Sequence, residues 1–159
     1  MSTRSIIAAT TDGVTRSIYC HSDGYLEGVG ATLLRSYTDG AKIDALLALG
    51  DISVLGDRVV PNDDEADHCF ERRAKGVTVA YGRDRGEEGT EAETHDPGMF
   101  MRNPRTEQYT YLHDGEKWLD PSDDFHAHLI MVWKEGTGNN INRLKIYGNH
   151  TYGDWDPGS

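Results

Sequence analysis

A chain of 159 residues with 18 glycines, 36% apolar residues and a net charge of −11 has room for one modest core and many turns. The balance of 27 acidic against 16 basic residues argues against nucleic acid or an anionic membrane as a partner, since both require a basic footprint. No apolar run approaches the ~20 residues that span a bilayer, and the opening MSTRSIIAATTDG is too short a run for a signal peptide, so the expectation is a cytoplasmic chain with Cys20 and Cys69 as free thiols.

The chain opens on a predicted hairpin. SIIAATT (5–11) and VTRSIYC (14–20) are rich in β-branched residues and are separated by Asp12-Gly13, the composition of a type I′ turn. On the second strand Ile18 and Cys20 face one way, and Tyr19 and His21 the other. Ser22 or Asp23 then caps a helix whose apolar stripe is Leu26, Val29, Leu33, Leu34 and Tyr37. Asp39-Gly40 breaks it. AKIDALLAL (41–49) forms a second short helix with Ile43, Leu46 and Leu47 inward, stopped by Gly50 in the left-handed conformation.

GDISVLG (50–56) reads as a compact turn under the helices. Residues 57–76 read as loop with a helical piece around 66–73, VTVAY (77–81) as a strand, and 82–98 as charged loop. EQYTYLHDGEKWLD (107–120) is a second hairpin around Asp114-Gly115. FHAHLIMVWKE (125–135) fits strand and helix equally, NRLKIYG (142–148) reads as strand, and DWDPGS (154–159) as a fraying end. The sum is an α+β domain: a mainly antiparallel sheet with two short helices packed on one face.

The chemistry concentrates in two stretches. In YGRDRGEEGTE (81–91), an extended backbone would set Arg83 and Arg85 on the same side, a double fork suited to phosphate or carboxylate. Gly82 and Gly86 would admit the ligand close to the backbone. Pairing of these arginines with Glu87, Glu88 or Asp23 is the competing structural reading. In CHSDGY (20–25), His21, Asp23 and Tyr25 are candidates for the rim of the same pocket. The binding set is therefore Arg83, Arg85, Gly82, Gly86, His21, Tyr25 and Asp23, with no residue assigned to catalysis or to a metal.

No cofactor is expected. Mg²⁺ on Asp84, Glu87, Glu88 or Glu91, beside a substrate phosphate, is the weaker alternative. A zinc site from Cys20-His21 and His68-Cys69 is arithmetically available but geometrically awkward, because adjacent strand residues point to opposite faces.

The phrases TRSIIA, IYCHSDGY, LGDISVLG and YGRDRGEEGTEA, in this order, resemble a family of small uncharacterised bacteriophage and prophage proteins. The resemblance covers residues 3–119 and leaves 120–159 as a C-terminal extension of a single domain spanning 1–159. It implies a phage accessory protein in the host cytoplasm and transfers no catalytic residue. Three activities suit such a chain. The first is non-enzymatic capture of a small anionic, nucleotide-like ligand, in counter-defence. The second is metal-dependent nucleotide hydrolysis or transfer, with His21 as base. The third is inhibition of a host protein through the acidic surface. Self-association as a homo-oligomer is compatible with all three.

Overall fold

The computed structural model describes residues 2–121 in full, together with the backbone of two later strands, His128–Trp133 and Ile141–Tyr147. Strands β1 (Ser5–Thr11) and β2 (Val14–Cys20) form the expected hairpin, in antiparallel register from Ser5 opposite Cys20 to Thr11 opposite Val14. Asp12 and Gly13 both take positive φ, 53° and 77°, as the two-residue turn requires.

After β2 the chain passes through Asp23, itself at φ 56°, into a π-helical turn, Leu26–Gly30, that continues as α1 (Ala31–Ser36). The expected side-chain cap is absent. The Asp23 backbone carbonyl instead accepts from the Val29 N–H at 2.8 Å. The wide turn depends on a glycine, since a Cβ on Gly28 would lie 2.2 Å from the Asp23 carbonyl oxygen. α2 (Gly40–Ala48) follows and ends where Gly50 adopts φ +78°.

The sheet is mixed, which corrects the expectation of a mainly antiparallel one. Its order is β4-β3-β2-β1-β6-β7-β8-β9, with β5 also paired to β2. The segment read as a turn below the helices contains β3 (Ile52–Val54), which joins β2 in parallel at Cys20–Ile52. β4 (Val79–Ala80) is shorter than the strand predicted over 77–81, because Tyr81 already begins α3 (Tyr81–Arg85). The helical piece expected at 66–73 is instead a 3₁₀ turn at Asp63–Glu65. β5 (Glu93–His95) and α4 (Pro97–Arg102) occupy what had read as loop.

β6 (Tyr109–His113) and β7 (Trp118–Leu119) form the second hairpin as expected. β6 also runs parallel to β1, from Ser5 beside Tyr109 to Ala9 beside His113. β8 (His128–Trp133) settles the ambiguous segment as strand, and β9 (Ile141–Tyr147) pairs with it antiparallel. The DWDPGS end lies outside the described residues.

Strand alternation splits the apolar residues between two layers. Ile7, Ala9, Ile18, Cys20, Tyr111 and Trp118 pack under the first two helices, against Val29, Leu33, Tyr37, Ile43, Leu46 and Leu47. Both predicted helices therefore cover one face, as expected. The opposite face carries a smaller cluster of Ala8, Leu112 and Leu119 under Phe100 of α4. Among the described residues no helix is long and apolar enough to cross a membrane.

Candidate functional site

The predicted double fork does not form. Residues 81–85 are helical, and at 3.6 residues per turn side chains two positions apart diverge by roughly 200°. Arg83 turns inward. Its guanidinium donates to the Val59 carbonyl, to the Thr78 carbonyl at 2.6 Å and to both carboxylate oxygens of Asp84, at 2.9 and 3.0 Å. Arg85 turns outward, 3.5 Å from Glu87 and over the Phe70 ring at 4.8 Å. The competing reading, intramolecular pairing, holds for Arg85 with Glu87, whereas Arg83 pairs with Asp84, a partner that reading did not include.

Asp84, 8% exposed, is the hub of this arrangement. One oxygen also accepts the Ala80 N–H at 2.8 Å and lies 3.3 Å from Nε2 of His68, whose side chain is fully buried. Burial by itself would raise the Asp84 carboxyl. The Arg83 hydrogen bonds, the Ala80 amide and the charges of Arg83 and His68 outweigh burial and hold it below the usual carboxylate range.

Gly82 packs against the following loop, where a Cβ would sit 3.0 Å from the Thr90 hydroxyl. Gly86 closes the helix at φ 77°. This segment therefore holds the loop 57–76 to the sheet.

A different arginine stands beside His21, and strand register puts it there. His21 directly follows Cys20, which pairs with Ser5. Gln108 directly precedes Tyr109, which pairs with Ser5 from the other side. Arg4 directly precedes Ser5, so three segments distant in sequence meet at one end of the sheet. They line a cleft of about 360 Å³ whose walls are Ser2, Arg4, His21, Glu107 and Gln108.

The polar groups of the cleft have defined roles. The Tyr19 hydroxyl lies 2.8 Å from Nδ1 of His21, on the same face of β2. Burial raises the Tyr19 pKa, the nearby Tyr81 and Glu107 add to the rise, and Arg4 opposes it. The phenol therefore keeps its proton at neutral pH, and its contact with Nδ1 fixes the orientation of the His21 ring. The Arg4 backbone N–H donates to Gln108 Oε1 at 2.8 Å, leaving the carboxamide NH₂ as a further donor. The lining combines a permanent cation, neutral donors and one carboxylate, Glu107.

Asp23 and Tyr25 lie outside this lining. The Tyr25 hydroxyl reaches Asp23 at 3.5 Å, and Gly24 is pressed against the first strand, where a Cβ would meet the Thr3 carbonyl oxygen at 2.9 Å. Of the predicted set, His21 alone lines the cleft. Arg4, Gln108, Glu107 and Ser2 were missed, and no local signal marks them, because their meeting depends on a parallel pairing across the whole chain.

Cys20 points into the helix-covered layer, away from His21, and Cys69 sits in the 57–76 loop against Glu71. Among the described residues no group of three or more His, Cys, Asp or Glu is arranged to hold a metal ion. Burial pushes the Cys20 thiol up to about 12. In the native protein at pH 8, a thiol-reactive chromophore is expected to titrate Cys69 promptly and Cys20 only after unfolding. A second fast thiol would contradict this placement.

A Ser17–His95 pair, 2.8 Å apart, has the composition of a nucleophile and its base. Ser17 is fully buried and also accepts from Arg105 at 3.2 Å, so no substrate reaches its hydroxyl. The pair ties β5 to β2. Comparison with family models, curated proteins and solved structures returns no match.

Proposed function

We propose that this protein is a non-enzymatic binding module for a small phosphorylated, nucleotide-like ligand, held in the Arg4–His21 cleft. The observation that carries the reading is that Arg4 and His21 line one cavity. Arg4 supplies charge-assisted hydrogen bonds to phosphate oxygens, the His21 imidazole a further directed contact, and Glu107 an acceptor for sugar hydroxyls. A volume of about 360 Å³ falls at the small end of the ~300–1,000 Å³ common for ligand pockets, which favours a mononucleotide over a dinucleotide. Taken with the phage-family resemblance, the reading extends to sequestration of a host signalling nucleotide in the host cytoplasm.

Calorimetric titration with inorganic phosphate, mononucleotides, cyclic mononucleotides and cyclic dinucleotides tests it. At least one mononucleotide is expected to bind. Arg4→Ala should weaken it roughly 10- to 150-fold, the equivalent of a hydrogen bond to a charged group. Arg85→Ala, on the exterior of α3, should leave binding unchanged. Absence of binding across the panel, or equal affinity in Arg4→Ala, ends the proposal. Divalent-metal-dependent turnover of a bound nucleotide would replace it with the hydrolase reading.

A further inference from the structure

At the other end of β1 lies a second cavity, of about 260 Å³, between the start of α2 and the β6–β7 turn. Thr11, Gly40, Asp44, His113 and Glu116 line it around the apolar Ile43. His113 is 8% exposed, and its Nδ1 accepts the Gly115 N–H at 3.2 Å. Burial lowers its pKa against the opposing charge of Asp114, so the ring is neutral and carries its hydrogen on Nε2. That Nε2–H has no acceptor among the described residues.

α2 begins beside it without a side-chain cap, because Asp39 makes no such bond. Its leading amides therefore keep their donors and the positive end of the helix dipole. One turn further along, Asp44 is oriented by the Thr11 hydroxyl at 3.3 Å, and Glu116 stands on the facing turn.

The two carboxylates disfavour a simple anion, while the unpaired donors have nothing to offer a simple cation. The geometry points to a small zwitterion of the α-amino-acid type. Its carboxylate would rest on the leading amides of α2 and the His113 Nε2–H, and its ammonium between Asp44 and Glu116. The cavity is smaller than the ~300–1,000 Å³ typical of larger ligands, which fits a molecule of this size.

Amide-resolved NMR titration of the full chain with glycine, L-serine and L-leucine tests the site, with acetate and ethylamine as half-ligands. Saturable shifts are expected at Gly40, Ala41 and Gly115 with an amino acid, and each half-ligand should bind at least tenfold more weakly. Asp44→Asn and Glu116→Gln should each weaken binding at least tenfold, and Arg4→Ala should leave it unchanged. Glu116 is exposed, so its variant keeps the fold and the test stands even if Asp44→Asn does not. Amides unmoved by all three amino acids, half-ligands as good as the whole, or full affinity in Glu116→Gln would each overturn the proposal.

Discussion

Asp84→Ala is expected to cost about 3–5 kcal/mol, the usual consequence of removing one partner from a buried ion pair. The loss is large because Asp84 serves three segments at once. It accepts from Ala80 at the start of α3, pairs with Arg83 and faces the buried His68 of the 57–76 loop. Without it, the Arg83 fork keeps two carbonyl acceptors but loses its carboxylate partner, and the buried His68 loses the carboxylate 3.3 Å from its Nε2, keeping the Ala74 N–H on Nδ1.

The sign of the pH dependence follows from the depressed carboxyl. The Asp84 contribution is complete above the unfolded carboxylate pKa of ~3.9 and is lost as pH falls through the lower folded value. Urea unfolding at pH 7 and pH 2.5 measures both effects: the gap between wild type and Asp84→Asn should be wide at pH 7 and shrink in acid. A gap below about 1 kcal/mol at pH 7 would remove Asp84 from its central position.

Gly50→Ala should destabilise by about 2–5 kcal/mol, combining the strain of a left-handed residue with overpacking. At φ +78° an added Cβ would sit 2.1 Å from the Thr90 carbonyl oxygen, which is backbone and cannot rotate away. That same oxygen accepts the Asp51 N–H at 2.7 Å, and Asp51 in turn accepts the Tyr19 N–H through its side chain and the Tyr81 N–H through its carbonyl. Displacing Thr90 therefore disturbs the junction of β2, β3 and α3.

Gly13→Ala is the control. Its φ is +77°, but a Cβ there meets nothing within 4 Å, so the conformational strain of ~1–2 kcal/mol is all that applies. Equal losses in the two variants, measured by denaturant midpoints, would show that the close approach to Thr90 is unimportant.

The features legible in the sequence are those written locally. Asp12-Gly13 marks the first hairpin, Asp114-Gly115 the second, and Gly50 the end of α2, each through a backbone conformation few residues adopt. The alternation that placed Tyr19 and His21 together also held. The parallel pairing of β1 with β6 has no local mark, and with it went the cleft, since Arg4, His21 and Gln108 meet only through that register. α3 was hidden for a different reason. Five residues that include Gly82 and end at a left-handed Gly86 have weak helical preference, and the helix exists because Arg83 and Asp84 are bound by surrounding backbone. The charged pattern does signal guanidinium–carboxylate chemistry, but in the fold that chemistry serves the protein's own frame.

The parallel neighbour of β1 also governs when the molecule can be completed. Ser5 leaves the ribosome roughly 100 residues before Tyr109, an interval of roughly 5–20 s at typical rates of synthesis. Throughout that time the strand carrying Ile6, Ile7, Ala8 and Ala9, all buried in the finished protein, has β2 on one side and an open row of hydrogen-bonding groups on the other. The nascent chain is thus most vulnerable to wrong pairing during translation, and chaperone demand should fall sharply once His113 has emerged.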